Sequence, residues 1–498
     1  MCHQPKNNKP PTPEDDTAGL REKAARGMAW TLAEMFGRYG VTYVVTIYLA
    51  RLLSPKDYGL VGLATAFFAI AAVIIDGGFR SALIRKKSVS PADYNTVFLT
   101  NLALSFAMYA AVYFSAPCIA GFYNEPQLTP LTRLLGITFI TNAMTIVQSV
   151  DLRRNMKFNL LALITIPTEI LSGAVAIFLA RGGFGAMSLA VKTLLSSITV
   201  MALYRCIVKW RPSLEFSAQS FRELFKTGSK LTAATMLRAI YRNINTIFIG
   251  KIFSAQQLGY YSFSEKILNL TSNNITTAVE QVSLPAFSKI QDDNDRLARG
   301  YKQAVQSAAA IIFPAMAALA LMAEPLVALF LNEQWIPAVP YIRILCATGS
   351  LIPLHTINNN ILIIKDAGLY LKIEYAAVLT LLAMLFSLAP LGIEIFLIGQ
   401  AFHTAALVLA TDFCNSRRAN SRFLAFAAHV APIALAAAMA GGAAYVVMGL
   451  FDVVGFAQCA LLAAVDFAVY CLCLWTFRVE IFVRAVETFK VKIKSRVK

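Results

Sequence analysis

Long apolar stretches recur along the whole chain and are separated by short polar segments. A helix needs about 20 mostly apolar residues to cross a bilayer core, and fourteen stretches reach that length. They lie at residues 28–50, 58–79, 94–116, 129–150, 158–180, 184–205, 231–253, 258–282, 305–330, 337–362, 370–390, 393–413, 424–448 and 454–477. We therefore predict an all-α polytopic membrane protein with about 14 transmembrane helices.

The seventh stretch, 231–253, carries polar residues in its middle. Arg238, Arg242 and Asn245 stand at i, i+4 and i+7, so they share one face of a helix. An arginine at bilayer depth costs roughly 2.5–3.5 kcal/mol on insertion scales. A face with two arginines indicates contact with water or with an anion, and we predict that this helix lines a cavity.

The first and eighth stretches also hold polar residues. Glu34 and Arg38 stand four apart in the first, which fits a local ion pair, a cavity-lining role, or both. A stripe spaced by threes and fours follows the eighth: Ser262, Glu265, Asn269, Ser272, Asn273, Thr276 and Glu280, with Lys266 beside its start. We interpret this stripe as a water-facing wall. A short helix that lies on the membrane surface is the alternative.

Single polar residues in other stretches have ordinary explanations. Glu169 and Lys192 lie in the fifth and sixth stretches, where such residues are typically hydrogen-bond partners between packed helices. Asp76 ends the second stretch. Together with Glu34 and Glu280, it is a candidate for carrying a coupling proton or sodium ion.

The tenth, twelfth and fourteenth stretches contain further polar groups. His355, Asn358 and Asn359 share a face of the tenth, and we expect a buried amide cluster that joins helices. Asp412 and Asp466 lie near predicted span ends, where their side chains are expected to reach the interface.

Composition agrees with the apolar pattern. The chain is 57% hydrophobic and 15% charged, with a mean hydropathy of +0.59, whereas a soluble domain is ~45–50% apolar and ~25% charged. The eight cysteines show no metal-ligand spacing, and no G-x-S-x-G, P-loop or H-E-x-x-H motif is present. We expect no catalytic residues, no metal site and no cofactor.

Basic residues are distributed unevenly between the connections. The net charge is +17, but the termini and the even-numbered connections, counted with the adjoining span ends, hold 34 Lys and Arg, and the odd-numbered ones hold 5. Such a bias places both termini in the cytoplasm, requires an even number of spans, and supports the polar eighth span. The positive charge therefore sets topology, and we expect no nucleic-acid partner.

An internal repeat is present at an offset of 200 residues. ARLLSPKDYGL, from Ala50, aligns with GKIFSAQQLGY, from Gly250, so that spans 1–2 match spans 7–8. Six spans separate the copies, so the two halves run parallel, and transporters of that build bind their substrate between the halves. The predicted parts are a disordered tail (1–27), a six-helix bundle (28–205), an amphipathic linker (206–230), a second bundle (231–413), an appended helix pair (424–477) and a basic tail (478–498).

Several stretches resemble a known family. They are ARLLSPKDYGLVGLATAF, DGGFRSALIRKKSVSPADYNTVFLTN, APCIAGFYNEPQL, DLRRNMKFNLLAL, IGKIFSAQQLGYYSFSEKI, SLPAFSKIQDDNDRLARGYKQAV and EPLVALFLNEQWIPAVPYIRIL. In order and spacing, from about residue 20 to 415, the chain resembles Wzx-type flippases of the polysaccharide transport family. This family is part of the multidrug/oligosaccharidyl-lipid/polysaccharide exporter superfamily, and the resemblance is to its colanic- and teichuronic-acid exporter branch.

The resemblance implies two six-helix bundles around a V-shaped cavity that opens alternately to each side. Its implied substrate is an undecaprenyl-diphosphate-linked oligosaccharide, moved from the inner to the outer leaflet of the bacterial cytoplasmic membrane for lipopolysaccharide or exopolysaccharide biosynthesis. Membrane lipids and a polysaccharide polymerase are the implied partners. Helices 1, 2, 7 and 8 line a cationic cavity in such proteins, which makes Arg38, Arg238, Arg242 and Lys266 the candidates for binding the diphosphate.

The remaining candidate positions are polar residues of the same helices, some of which could couple an ion. They are Glu34, Asp76, Asn245, Glu265, Asn269, Asn273 and Glu280. The carboxylates among them dilute the positive field of the cavity.

Two other functions remain open at this stage. A cation-coupled multidrug antiporter of the same superfamily would share the fold, but organic cations do not suit a cavity with two arginines. A polyprenyl-linked sugar polymerase or ligase would need a large external loop, and the odd-numbered connections are short. Transport could be driven by the membrane potential, worth roughly 2.3 kcal/mol per charge per 100 mV, or by proton or sodium antiport.

Overall fold

In this computed structural model, the described part of the chain comprises residues 37–38, 40–155, 157–418, 424–450, 455–479 and 482. This part is helical throughout and contains no β-strand. The helices are α1 (Gly40–Leu52), α2 (Pro55–Asp76), α3 (Phe79–Arg85), α4 (Pro91–Tyr123), α5 (Leu128–Ala143), α6 (Ile146–Arg154), α7 (Phe158–Arg181), α8 (Ala186–Ile207), α9 (Ala218–Ile252), α10 (Ala255–Lys289), α11 (Asn294–Phe330), α12 (Val339–Lys365), α13 (Ala367–Leu388), α14 (Ile393–Arg418), α15 (Leu424–Leu450) and α16 (Phe456–Thr476). Short 3-10 helices, Glu333–Ala338 and Ala389–Leu391, precede α12 and α14.

The helices coincide with the predicted spans, and the prediction of an all-α polytopic protein is confirmed. Ten described helices are long and apolar enough to cross a membrane, and the pair α5 and α6, bent by 44°, makes an eleventh. Polar side chains keep α9 and α10 below that threshold, and α1 is described only from Gly40. The number fourteen stays a prediction.

Two features of the helices were not predicted. The short helix α3 follows α2 directly, because Gly77 and Gly78 take positive φ angles of 53° and 72° and turn the chain. Helix α9 begins at Ala218, inside the segment predicted as a linker. With 35 residues it is about 50 Å long, so it extends well beyond an apolar core of about 30 Å.

The chain forms two compact units. Unit 1 contains the residues up to Leu53 together with Ala64–Ile244, and unit 2 contains Ser54–Leu63 together with the residues from Asn245 onward. Helices α2 and α9 each belong to both units. The domain boundaries given by the sequence stay predictions.

In unit 1, α5 packs against α4 and α8, and α7 packs against α8.

Hydrogen bonds from basic residues stabilise one end of unit 1. The Arg154 guanidinium donates to the carbonyl oxygens of Leu83 at 2.6 Å and Lys86 at 2.7 Å, which closes the last turn of α3. The Lys86 ammonium donates to Asp93 at 2.9 Å and Glu223 at 3.2 Å, and these bonds, Asp93 first, raise the pKa of Lys86.

In unit 2, α12 is the central helix and packs against α10, α11 and α14. Hydroxyl and amide groups join it to α10: Ser272 Oγ donates to the Gly349 carbonyl at 3.0 Å, and Asn360 Nδ2 donates to Ser283 Oγ at 2.8 Å. Ser272 is fully buried. Its expected place in a water-facing wall was therefore wrong, because its hydroxyl satisfies a backbone carbonyl between two packed helices.

The 200-residue repeat is visible inside unit 2. Ser54 caps α2 and Ser254 caps α10, each through reciprocal bonds with the residue three positions later. A hydrogen-bonded serine cap at the same place in both copies explains why the motif recurs: it starts a helix at the same point in each half.

The first turns of α2 and α10 cross at two glycines. A Cβ atom added to Gly59 would overlap the Ala255 carbonyl oxygen, and one added to Gly259 would overlap the Pro55 carbonyl oxygen. The two contacts are reciprocal, since both pairs are related by the same offset of 200. The helices therefore touch backbone to backbone, which only residues without a side chain allow.

Gly259→Ala tests this crossing. We expect a loss of at least ~1–3 kcal/mol in unfolding free energy, because the new methyl group meets a carbonyl that cannot rotate away. Thermal unfolding of the purified protein in detergent measures it. Gly442→Ala is the matched control, because a Cβ there meets nothing within 4 Å, and it should be neutral or slightly stabilising. Equal melting temperatures for the two variants would contradict the crossing.

Candidate functional site

The two arginines of α9 belong to unit 1. Arg238 and Arg242 stand one helical turn apart, and the side chains of both are exposed. Arg242 forms no ion pair with any described residue. A guanidinium carries five donors and stays charged under all physiological conditions. Their exposure leaves both side chains accessible to an anionic ligand.

The other predicted residues of unit 1 are less exposed. Arg38 of the chain preceding α1 is half-buried. Asp76, at the end of α2, forms an ion pair with Arg80 at 3.4 Å, which gives this carboxylate a local partner. Glu34 lies outside the described residues. The roles proposed for all three stay predictions.

In unit 2, Asn245 and Glu265 meet around a tyrosine. Tyr261 is buried, and its side chain interacts with those of Asn245 and Glu265. Asn245 is 4% exposed, and its Oδ1 atom has no hydrogen-bond partner among the described residues. This link joins the end of α9 to α10, so part of the predicted polar wall is used for packing between helices.

Lys266 lies beside the beginning of α2. Its ammonium is 5.9 Å from the centre of the Tyr58 ring, within the range of a cation–π contact. Tyr58 packs edge-on against Phe263 and Trp335, at 5.7 and 5.3 Å between ring centres. The aromatic cluster therefore holds Ser54–Leu63 in unit 2 and places a cation next to it.

The rest of the stripe on α10 differs in exposure along its length. Asn269 and Asn273 are half-buried, whereas Glu280 is exposed. Among the described residues, no group of three or more His, Cys, Asp or Glu side chains is arranged to hold a metal. The arrangement offers amide donors and acceptors near the middle of the helix and a charge toward its end.

The structure thus brings some predicted residues together and not others. In unit 1 it places Arg238 and Arg242 on consecutive turns of one helix. In unit 2 it joins Asn245 to Glu265 through Tyr261, a residue that sequence reasoning missed because it is aromatic in an apolar stretch.

Helix-packing pairs account for other intramembrane charges. Lys192 of α8 donates to Glu169 of α7 at 3.0 Å, and both side chains are about four-fifths buried. The expectation that each has a partner on a neighbouring helix is confirmed. Arg181 similarly reaches the Tyr48 hydroxyl.

Comparison with known proteins identifies the family. A family model described as "Polysaccharide biosynthesis protein" matches residues 48–340, more than half of the chain. The chain belongs to this family. The match begins in α1 and ends in α12, so it includes the repeat, both arginines of α9 and the whole of α10.

Curated relatives agree with this polysaccharide biosynthesis family. Teichuronic acid biosynthesis protein TuaB of Bacillus subtilis is 28% identical over 349 residues, covering 66% of this chain and 72% of the relative. Lipopolysaccharide biosynthesis protein WzxC of Escherichia coli is 25% identical over 334 residues (67% and 68%). Succinoglycan biosynthesis transport protein ExoT of Rhizobium meliloti is 24% identical over 332 residues (66% and 67%). The predicted family is confirmed.

Solved structures share the fold. The lipid II flippase MurJ in an inward closed conformation matches with a TM-score of 0.73 at 15% identity, over 91% of this chain and 99% of MurJ. An inward-facing multidrug resistance MATE family transporter of the MOP superfamily matches with a TM-score of 0.61 at 17% identity, over 79% and 98%. At these identities the likeness concerns the fold alone.

Cysteine labelling distinguishes a water-facing α9 from a lipid-facing one. In a variant whose eight cysteines are replaced, Arg242→Cys should react with a membrane-impermeant maleimide, because this position is exposed on the polar face. Ser272→Cys is the control and should stay unlabelled, since Ser272 is fully buried. Labelling of Arg242→Cys only by a lipophilic reagent would contradict a water-filled site.

Proposed function

We propose that this chain is a flippase for polysaccharide precursors. It moves an undecaprenyl-diphosphate-linked oligosaccharide from the inner to the outer leaflet of the bacterial cytoplasmic membrane. The observation that carries the proposal is the exposed pair Arg238 and Arg242, one turn apart on α9. Membership in a polysaccharide biosynthesis family and the fold shared with a lipid II flippase support it.

The diphosphate is the costly part of such a substrate to move. An anion cannot enter hydrocarbon unless cations and hydrogen bonds replace its water. Guanidinium groups bind phosphate oxygens in a bidentate way, which gives both charge and geometry. Arg238 and Arg242 stand one turn apart, so each can take an oxygen of the same diphosphate. Arg38 and Lys266 add further positive charge in this proposal.

The sugar and lipid parts make different demands. Sugar hydroxyls need donors and acceptors, and the amides of Asn269 and Asn273 on α10 provide both. The polyprenyl chain can stay in the bilayer while the headgroup crosses. The substrate therefore needs a polar path only for its headgroup.

Access would alternate between the two sides of the membrane. Helices α2 and α9 each contribute residues to both units. By the charge bias, both termini lie in the cytoplasm. No catalytic motif occurs in the sequence, and we propose transport without covalent chemistry, with the product passed to a polysaccharide polymerase.

The proposal can be tested by expressing variants in cells whose surface polysaccharide depends on this chain. The double variant Arg238→Ala/Arg242→Ala should abolish surface polymer at normal membrane expression, because the diphosphate loses both guanidinium groups. A lysine pair should keep part of the activity if charge matters more than bidentate geometry. Surface polymer is quantified with a sugar-specific antibody or stain.

Arg343→Ala is the matched control. Arg343 forms an exposed ion pair with Glu324 at 2.9 Å on other helices, and such pairs contribute about 0–1 kcal/mol. We expect normal polymer from this variant. Wild-type polymer from the alanine pair would overturn the proposed role of the arginines.

A further inference from the structure

A buried polar cluster in unit 2 joins α11, α12 and α14. Its members are Tyr301 of α11, Asn358 of α12, and Thr411, Asp412 and Asn415 of α14. Asn358 and Thr411 are 0% exposed, and Asp412 and Asn415 are 3% exposed. Asp412 was expected to reach the interface, and that expectation was wrong, because the helices packed around it keep its carboxyl inside.

The orientation of the Asn358 amide is fixed by its neighbours. Its Nδ2 atom donates to the Val408 carbonyl at 3.0 Å and to Thr411 Oγ1 at 3.1 Å. The Thr411 hydroxyl directs its own hydrogen to the Leu407 carbonyl at 2.8 Å, so its oxygen is available as an acceptor. Asn358 Oδ1 must therefore be an acceptor toward Tyr301.

If Asp412 is charged, the Tyr301 hydroxyl would need two hydrogen atoms to form hydrogen bonds at both of its short contacts. The Tyr301 hydroxyl lies 2.6 Å from Asn358 Oδ1 and 2.9 Å from Asp412 Oδ1, but a tyrosine has a single hydroxyl hydrogen. If Asp412 carries a proton, its carboxyl donates to Tyr301, and Tyr301 donates to Asn358. Both short contacts are then hydrogen bonds.

The second carboxyl oxygen gives an independent indication. Asp412 Oδ2 is buried and has no hydrogen-bond partner among the described residues. The two oxygens of a carboxylate share its negative charge. A buried carboxylate oxygen without a hydrogen-bond donor therefore costs far more free energy than a buried neutral carbonyl oxygen without one. A neutral acid is the form that this site accommodates.

The surroundings provide no compensating cation. Charged or titratable groups of the packed helices include Tyr301 and Lys302 of α11, His355 and Lys365 of α12, Glu374 of α13, and Arg417 of α14. Of these, Tyr301 contacts the carboxyl; Lys365 is bonded to Gln291 and Asn294, and Arg417 lies over the Phe413 ring at 4.3 Å. Asp412 forms no ion pair within the described part of the chain.

We propose that Asp412 is a proton-binding site, neutral in this conformation, whose proton is released and regained during transport. The cluster lies about two turns from the ends of α12 and α14 and from the start of α11, so only a short path separates it from water. On release, the O–H bond of the acid breaks and the proton passes to water. Tyr301 then turns its hydrogen to the carboxylate.

Proton release would change the packing of unit 2. Once Tyr301 donates to Asp412, Asn358 Oδ1 loses its donor, and a new buried charge lies between α11, α12 and α14. Both effects favour a different arrangement of these helices, one that admits water to the carboxylate. The role in transport rests on the proposed flippase function, whereas proton binding does not.

Infrared difference spectroscopy of the full-length protein in lipid nanodiscs tests proton binding without substrate. Aspartate labelled with carbon-13 in its carboxyl identifies the band. We expect a protonated-carboxyl C=O band at neutral pH that disappears with Asp412→Asn, and that shifts but remains with Tyr301→Phe. Asp466→Asn, which removes another buried acid on α16, should leave this component unchanged. Identical spectra for wild type and Asp412→Asn would overturn the site.

Transport by Asp412→Asn tests the coupling. The amide can donate to Tyr301 as the acid does, so the variant should fold with a wild-type melting temperature. We expect its headgroup translocation in proteoliposomes to fall at least tenfold and to lose its dependence on the proton gradient. If the wild type translocates no headgroup but the infrared band is present, the flippase proposal fails and the proposed proton-binding site stands. Gradient-dependent transport by Asp412→Asn at the wild-type rate would overturn coupling.

Discussion

The hydrocarbon core of a bilayer offers no hydrogen-bond partner to a polar group, and this constraint governs where the polar side chains of this protein lie. Several of the described polar groups obey it by pairing. Lys192 is matched by Glu169, and Ser272 is matched by the Gly349 carbonyl. Arg242 of α9, in contrast, is exposed and forms no ion pair with a described residue. We propose that an anionic substrate is the partner of this accessible cation.

The same constraint explains how the helices are packed. Without water to drive apolar faces together, helices in a membrane associate through close backbone contact and hydrogen bonds. Gly59 and Gly259 give backbone contact at the crossing of α2 and α10, and hydroxyls and amides join α10 to α12. The reciprocal glycine contacts also make the sequence repeat physically meaningful, because a change in one copy would disturb the other.

Much of the fold follows from the sequence because apolar length and charge bias are strong signals. The helices coincide with the predicted spans, and the motif around Ser54 and Ser254 marks two equivalent helix starts. Hydropathy records apolarity rather than helicity, so the extension of α9 back to Ala218 was not predicted. The short helix α3 was missed because it depends on two glycine φ angles.

The candidate site was less predictable for a physical reason. Periodicity places Arg238 and Arg242 on one face, but it does not indicate what that face meets. Tyr261 and Tyr301 are counted among the hydrophobic residues of the chain, although each interacts with a carboxyl and an amide side chain. Asp412 was assigned to the interface from its position in the sequence, and only packing against α11 and α12 reveals its burial.

Binding of a lipid diphosphate by the purified protein tests the central claim most directly. Native mass spectrometry with undecaprenyl diphosphate, and with undecaprenol as the uncharged comparison, measures whether the diphosphate is recognised. We expect a diphosphate adduct on the wild type and on Arg343→Ala, a loss of at least tenfold in occupancy on Arg238→Ala/Arg242→Ala, and no adduct with undecaprenol. Equal occupancy on the wild type and the alanine pair would contradict it.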